Sequence, residues 1–404
     1  MNGLRENLSS GPLSENDCQG DMPRSVKHLK LLVFVTDAFG GRGGIAKFNR
    51  DLLRALSLHP RCDTVLALPR LVADATEPIP DGVAFHVESV GGKWRYVRES
   101  LRVISHGGYD AVLCGHINLL PVAALAAGRL KAPLVLVTHG IEAWSPSRLR
   151  LRRPLMRRVD KVVAVSEFTG RRVLRWSGIP ESRLAVIPNC IDAAAYGPGE
   201  KSVRLLERYG ITGRKVLLTV ARLSAAERYK GIDEVLGIMP RLLEREPDLA
   251  YLVVGEGDDV PRLRQIAACA GISDRVVFTG YVPEEEKADH YRLADAFVMP
   301  GRGEGFGIVY LEALACGVPV VASSADASSE AVRNGLLGEA VSPDDPAALT
   351  RAVLGALNAR RGMVPEGLDH FSVDRFQARW WSLIDNVMAG EERISRAADV
   401  TGTR

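Results

Sequence analysis

Two series of short apolar runs, each run followed by a longer segment of helical period, constrain this chain more than any other feature of its sequence. The first series runs from LKLLVFV at 29–35 through TVLALP, AVLCG, LVLVTHG and KVVAVS to RLAVIPN at 183–189. The second series comprises KVLLTVA at 215–221, LAYLVVGEG, RVVFTGY, ADAFVMP, GVPVVAS and LGEAV. Strands that are buried on both faces read as continuous apolar runs, and their alternation with helices is typical of parallel sheets. We therefore expect an α/β protein with two doubly wound, Rossmann-like domains that face each other across a cleft.

The length of the chain supports this division. With 404 residues it exceeds the size at which a single hydrophobic core usually stops growing. We assign a disordered tail to 1–27, a first domain to 28–195, a Gly/Pro-marked linker to 196–212 and a second domain to 213–365. Residues 366–389, which include VDRFQARWWSLIDNVM, are predicted to form a helix near the domain junction, followed by a tail at 390–404.

Composition narrows the functional class. A formal net charge of +3 is too small to indicate nucleic-acid binding, and we expect none. The sequence contains no run of about 18 apolar residues and no apolar leader segment. Its six cysteines include no CxxC pair and no zinc-type cluster with histidine. We therefore expect reduced thiols, no metal site and a cytoplasmic location.

The segment RLRLRRPLMRRVDK at 148–161 carries most of the local charge asymmetry. One interpretation is a solvated helix whose leucines and methionine face the core. The other is a surface that meets anionic lipid or a pyrophosphate-linked acceptor.

The most informative stretch is ADAFVMPGRGEGFGIVYLEALACGVPVVAS, in which a strand, a Gly-rich loop and a helix that begins near Gly307 follow one another. Such a helix start presents unpaired amides and a favourable dipole to a phosphate group. Glu304 lies in the loop and Glu312 in the helix, so the two carboxylates can accept hydroxyl groups on either side of the phosphates. The alternative for each glutamate alone is an ordinary surface position.

The sequence from Glu304 to Ser323 resembles the donor-binding segment of the family 4 retaining glycosyltransferases, in which two glutamates separated by seven residues define the motif. The resemblance extends over about 30–376. It implies the GT-B architecture, a nucleotide diphosphate sugar as donor substrate, no cofactor and a metal-independent, retaining transfer. It also implies that a hexosyl group moves to a glycan or lipid-linked acceptor, in exopolysaccharide or cell-surface polysaccharide biosynthesis, with peripheral contact at the inner membrane face.

The resemblance also implies roles for individual residues. Arg222 and Lys230 would contact the donor pyrophosphate, which agrees with their place after the first strand of the second domain. Glu304 and His139 would position the sugar. Glu312 would hold the ribose. The remaining donor contacts are assigned to backbone at the two glycine loops, namely Gly41, Gly43, Gly44, Gly305, Phe306, Gly307 and Ile308.

Three further assignments accompany these. Glu142 is a candidate to orient His139, and Ser166 and Thr169 are assigned to helix capping. The stretch SSADASSEAV at 323–332 departs from the pair of glycines before an acid that the family commonly carries there, which leaves the donor-loop contacts around 323–329 open.

Other functional classes compete with this interpretation. GRGGIA at 41–46 fits a dinucleotide fingerprint, which would make the chain an NAD-dependent oxidoreductase. Such a site needs an acid at the end of the second strand to hold ribose, whereas that strand ends in Pro69 and Arg70. A nucleotide-sugar epimerase of the same architecture and a catalytically silent sugar-nucleotide-binding protein are two further candidates.

Overall fold

The computed structural model describes residues 28–72, 77–145 and 152–401. The predicted tail at 1–27 and residues 148–151 of the basic segment lie outside the described residues.

The first domain is built on a seven-stranded sheet. Its strands are β1 (Leu29–Val35), β2 (Cys62–Pro69), β3 (Val83–Phe85), β4 (Ala111–Cys114), β5 (Leu134–Thr138), β6 (Lys161–Ala164) and β7 (Leu184–Val186). They lie in the order β3-β2-β1-β4-β5-β6-β7, and every neighbouring pair is parallel. All side chains of β1 except Lys30 are buried, as a central strand covered on both faces requires.

The second domain has the same architecture, with a parallel sheet of six strands. They are β8 (Lys215–Val220), β9 (Leu249–Val254), β10 (Val276–Phe278), β11 (Ala296–Val298), β12 (Val320–Ser323) and β13 (Glu339–Val341). Their order is β10-β9-β8-β11-β12-β13, again with parallel pairing throughout. The predicted fold class, two doubly wound domains, is confirmed.

Helices cover both faces of each sheet. The α-helices are α1 (Gly44–Ser57), α2 (Lys93–His106), α3 (Leu120–Leu130), α4 (Arg152–Met156), α5 (Glu167–Ser177), α6 (Ala193–Tyr196), α7 (Val203–Arg208), α8 (Ile232–Leu243), α9 (Val260–Cys269), α10 (Glu284–Arg292), α11 (Ile308–Ala315), α12 (Ser328–Ala331), α13 (Pro346–Leu357) and α14 (Val373–Thr401). Short 3-10 turns lie at Val87–Ser89, Ile117–Leu119, Glu181–Arg183, Ala225–Lys230, Ser273–Arg275, Arg333–Gly335 and Glu366–Phe371.

In each sheet the strand that comes first in the chain lies in the interior, and the strand order reverses beside it. β1 lies between β2 and β4, and β8 lies between β9 and β11. The connections that leave two such neighbouring strands run to opposite faces, which opens a crevice at the carboxyl ends of the strands. The loops that follow these strands are therefore placed to meet a ligand.

The last helix joins the two halves of the molecule. Before α14 begins, the amide of Ile191 donates to the carbonyl oxygen of Phe371 over 2.9 Å. Phe376 of α14 then packs edge-on against Phe48 of α1, with ring centroids 5.5 Å apart. Trp381 donates its indole N–H to the carbonyl oxygen of Ala55 over 2.7 Å. The end of the chain thus packs on the first domain.

Three details differ from the sequence-based expectation. The short edge strand β3 was not predicted, because its apolar run, VAF, is only three residues long. The linker at 196–212 contains α7. α14 continues to Thr401, so a tail does not begin at 390; EERISRAA is rich in good helix formers and contains neither glycine nor proline to end the helix.

The basic segment agrees in part with its solvated-helix interpretation. Within the described part, Met156 is fully buried and Leu155 packs against the core of the first domain, whereas Arg157 and Arg158 are exposed. Membrane contact by this segment stays a prediction. Among the helices that the structure describes, none combines the length and the apolarity needed to cross a lipid bilayer.

The cysteines give a test of the packing. The five described cysteines are free, and of these Cys269 is exposed. Burial raises the pKa of the Cys62 thiol to about 11 and that of the Cys114 thiol to about 12. Each unit of pKa lowers the thiolate fraction about tenfold.

In a Cys18→Ser background we expect one thiol to react rapidly with a disulfide reagent at pH 8, and Cys269→Ser to remove that phase. The remaining thiols should react about 100-fold more slowly until the chain is unfolded in urea, because burial suppresses their thiolate form. A second rapid thiol in the native Cys18→Ser, Cys269→Ser protein would contradict this packing.

Candidate active site

The loops that follow β8 and β11 meet at the switch point of the second sheet. The amide of Arg302 donates to the carbonyl oxygen of Tyr229 over 2.8 Å, so the two loops are joined through their backbones. Gly231 lies so close to the second loop that a Cβ atom there would be 2.5 Å from the carbonyl oxygen of Pro300. This contact brings together two residues that are 74 positions apart: Lys230 Nζ donates to Glu304 Oε2 over 2.6 Å.

The Lys230–Glu304 pair is shielded from solvent, with each side chain 17% exposed. Burial alone would lower the pKa of the Lys230 ammonium, but the Glu304 carboxylate outweighs it, so the pKa of Lys230 is raised above its ordinary value. Lys230 therefore stays charged at neutral pH. An ammonium has three N–H donors, and the bond to Glu304 uses one of them, which leaves donors for an anion.

The backbone beside Glu304 has the form expected of a phosphate site. Gly305, Phe306 and Gly307 lead into α11, which begins at Ile308. Within the described chain, the amides of these three loop residues donate to no protein acceptor. Phe306 is buried against Phe371, with ring centroids 5.5 Å apart, which fixes the loop from behind. A helix start with unused amides next to a lysine attracts a diphosphate.

Arg222 lies in the same crevice but is not aimed at the Lys230–Glu304 pair. Its side chain is 75% exposed and forms an ion pair with Glu227 of the neighbouring 3-10 turn. A guanidinium has five N–H donors, so the pair with Glu227 does not by itself prevent a contact with a diphosphate. The expected pyrophosphate contact of Arg222 stays a prediction.

Glu312 is fully buried in α11 in this structure, where protein groups surround its carboxylate. Its expected contact with a ribose stays a prediction. Tyr291 donates its hydroxyl to Glu312 Oε2 over 2.7 Å. The Tyr196 hydroxyl lies 2.9 Å from Glu312 Oε1 and 2.9 Å from Glu284, and Lys287 Nζ lies 3.4 Å from Glu312 Oε1. In this conformation Glu312 connects α11 to α10 and to Tyr196, the last residue of α6. The prediction that Glu304 lies in the loop and Glu312 in the helix was correct, but the sequence did not show which side of α11 faces the interior.

His139 follows β5, as predicted, on the first-domain side of the cleft. Its Nε2 donates to the carbonyl oxygen of Gly115 over 2.8 Å, and its ring packs edge-on against Phe48. Burial lowers the pKa of His139, partly opposed by Glu142 and by the bond to Gly115, so the ring is neutral at pH 7. Glu142 holds the backbone amides of His139 and Gly140 over 2.7 and 3.1 Å rather than the ring. The sugar contact of His139 stays a prediction.

The glycine loop of the first domain follows β1. A Cβ atom at Gly41 would lie 2.5 Å from the carboxyl group of Asp37, and Gly43, with φ of 90°, precedes α1 in a conformation that favours glycine. At Gly44 a Cβ atom would meet no other atom within 4 Å, and the backbone conformation does not favour glycine. The loop reaches the second domain through Arg42, whose guanidinium lies 4.2 Å from the ring centroid of Tyr281 and 3.9 Å from Glu256.

The sequence interpretation missed two acids that complete the site. Asp326, which is buried after β12, accepts the amide of Glu304 over 2.8 Å and the hydroxyl of Ser328 over 2.6 Å. Burial raises the pKa of Asp326, opposed by these hydrogen bonds. Glu330 accepts two amides of the first domain. Both acids lie in the stretch 323–332, which departs from the family pattern. They follow β12, the strand next to β11, and this position was the sequence signal that could have identified them.

In the described part of the chain, no group of three or more His, Cys, Asp or Glu side chains has the arrangement of a metal site. Metal independence stays a prediction, since this observation concerns protein ligands alone.

Comparison with known proteins agrees with the motif and the fold. Residues 42–195 match the model of Glycosyltransferase Family 4, and residues 214–359 match that of Glycosyl transferases group 1. A GDP-mannose-dependent alpha-(1-6)-phosphatidylinositol monomannoside mannosyltransferase from Mycolicibacterium smegmatis is 36% identical over 274 residues, which are 64% of this chain and 69% of the relative. The chain belongs to the group 1 glycosyltransferases of family 4.

A second relative and a solved structure agree with this family and with the fold. A phosphatidyl-myo-inositol mannosyltransferase from Mycolicibacterium smegmatis is 30% identical over 361 residues, covering 87% of this chain and 89% of the relative. The structure of Anabaena HepE in complex with UDP-glucose superposes with a TM-score of 0.71 and 21% identity, over 89% of this chain and all of that chain. The fold is therefore GT-B, and glycosyltransferase activity is favoured over the oxidoreductase that GRGGIA suggested.

The role of Glu312 gives a direct test. Glu312→Ala should lower the free energy of unfolding by about 1–3 kcal/mol, because it leaves the buried Tyr291 hydroxyl without its acceptor, whereas Tyr196 and Lys287 keep Glu284 as a partner. Tyr291→Phe, which removes the same hydrogen bond, should cost about 1–3 kcal/mol. Urea unfolding measures both changes. If Glu312→Ala instead weakened nucleoside diphosphate binding at least tenfold with an unchanged unfolding midpoint, Glu312 would be a ligand contact and not an anchor.

Proposed function

We propose that this glycosyltransferase moves a mannosyl group from GDP-mannose to a phosphatidylinositol-based glycolipid, with retention of configuration and without a metal ion. The observation that carries the proposal is the Lys230–Glu304 pair beside three unused amides at the switch point of the second sheet. A cation and free amides suit a diphosphate, and a carboxylate next to them suits the hydroxyl groups of the attached sugar.

The names of the relatives support the donor and the acceptor. Relatives that match 69% and 89% of their own lengths are named as mannosyltransferases acting on phosphatidylinositol monomannoside and on phosphatidyl-myo-inositol, and the first name specifies GDP-mannose. A role in exopolysaccharide or cell-surface polysaccharide synthesis, which the sequence motif implied, remains the second candidate. The two candidates differ in the acceptor and not in the chemistry at the donor.

The proposed chemistry is electrostatic. Lys230 and the amides of 305–307 stabilise the negative charge that grows on the departing diphosphate, and the Arg222 guanidinium adds to this stabilisation. Glu304 holds a sugar hydroxyl. The family resemblance implies a front-face route, so we assign no protein nucleophile. In this front-face route the leaving diphosphate takes the acceptor proton, and the new bond forms on the face that the diphosphate leaves, which gives retention.

A screen of donors and acceptors tests the proposal. We expect GDP-mannose to raise the melting temperature more than UDP-glucose, UDP-galactose, UDP-N-acetylglucosamine, ADP-glucose or NAD. We also expect mannose transfer to vesicles that contain phosphatidylinositol or its monomannoside, unchanged by EDTA, with an α-linkage by NMR. Transfer only to a polyprenyl-linked oligosaccharide would favour polysaccharide synthesis, and stabilisation by NAD alone would reject the transferase.

Lys230 gives a sharper test, because the same strand offers a matched control. Lys215 begins β8 at the opposite end of the strand, whereas Lys230 follows its carboxyl end. Lys230→Ala should lower kcat/KM for transfer about 100- to 1,000-fold, since it removes a preorganised donor to the leaving group. Lys215→Ala should leave kcat/KM within about twofold. Equal losses in the two variants would show that the effect of Lys230 is general and not local to the site.

A further inference from the structure

The first turn of α5, in the first domain, is bonded by a carboxylate of the second domain. Glu330 accepts the amide of Glu167 over 2.7 Å and the amide of Phe168 over 2.8 Å. A helix start has unpaired amides and a partial positive charge, which a residue nearby in sequence ordinarily satisfies. Here Ser166 caps only the amide of Thr169, over 3.1 Å, and an acid more than 160 positions away completes the cap.

The same turn holds the loop of the active site. Ser166 donates its hydroxyl to the carbonyl oxygen of Gly305 over 2.7 Å, and the hydroxyl of Thr169 lies 3.4 Å from the same oxygen. Gly305 also rests against the end of β5: a Cβ atom there would lie 1.9 Å from the carbonyl oxygen of His139. The first domain therefore contacts the residue that directly follows Glu304, and only a glycine fits at that position.

Glu330 and Glu304 are also connected within the second domain. Asp326 accepts the amide of Glu304 over 2.8 Å, and it lies one helical turn before Glu330 in the same short segment. The segment 326–330 thus touches Glu304 at one end and the first domain at the other. The Glu304 amide is thus held from within the second domain, whereas the Gly305 carbonyl oxygen is held by Ser166 across the cleft.

We propose that Ser166 and Glu330 are positioning residues, and that together they form an interdomain clamp that sets the Glu304 loop for transfer only when the cleft is closed. The proposal rests on the proposed function of the Lys230–Glu304 site. Neither residue touches the diphosphate or the sugar. Ser166 acts through Gly305, and Glu330 acts through the start of α5. Because the clamp bonds cross the cleft, their loss should shift the balance between open and closed arrangements more than the stability of either domain.

The experiment compares Glu330→Gln and Ser166→Ala with the wild-type protein, and uses Glu339→Gln, an exposed acid of the same domain, as the matched control. We expect kcat for transfer to fall about 10- to 100-fold in the first two variants, while the Kd for GDP stays within about threefold. We expect small-angle scattering with GDP bound to show a larger radius of gyration for Glu330→Gln and for Ser166→Ala, but not for Glu339→Gln. Ser166→Thr, which keeps the hydroxyl, should recover most of the lost rate.

Two results would overturn the clamp. One is a wild-type kcat together with an unchanged scattering profile in Glu330→Gln. The other is a loss of rate that a lowered unfolding midpoint fully explains and that Ser166→Thr fails to recover. If the wild-type protein proved to transfer no sugar, the proposed function would fail by itself, and the scattering comparison between Glu330→Gln and Glu339→Gln would still decide whether the clamp exists.

Discussion

The ion pair between Lys230 and Glu304 is the interaction on which the rest of the site depends. Withdrawing two charges from water costs several kcal/mol for each ion, and only close geometry with supporting hydrogen bonds offsets that cost. Here the geometry comes from backbone: the Tyr229 carbonyl oxygen holds the Arg302 amide, and Gly231 lets the two loops approach. The parallel sheet places the ends of β8 and β11 side by side, so its topology is the origin of the charge arrangement.

Much of the fold could be predicted from the sequence because strands buried on both faces leave continuous apolar runs. β1 coincides with its predicted run, and every run in the two series overlaps a strand of the structure. β3 gave no usable signal, since its apolar run is only three residues long. The end of α14 was misjudged for a different reason: a helix without a terminating glycine or proline has no local signal for where it stops.

The site was partly predictable for the same topological reason. Lys230 and Glu304 both follow strands that are neighbours at a switch point, and that placement can be read from strand order alone. Glu312 could not be placed in this way, because its partners Tyr196 and Tyr291 come from the linker and from another helix. Contacts across the cleft were still harder to predict from the sequence. The bond between Ser166 and Gly305 joins residues 139 positions apart in different domains, and no local pattern encodes it.

The two residues of the Glu304–Gly305 peptide are held from different domains. Asp326 fixes the Glu304 amide and the start of α12 from within the second domain. Gly305, in contrast, depends on the first domain for its contacts. Closing the cleft over this loop also excludes water, which strengthens the attraction between Lys230 and a diphosphate in the lower local dielectric. The contact between the domains and the stabilisation of the leaving group therefore both involve one peptide, which joins Glu304 to Gly305.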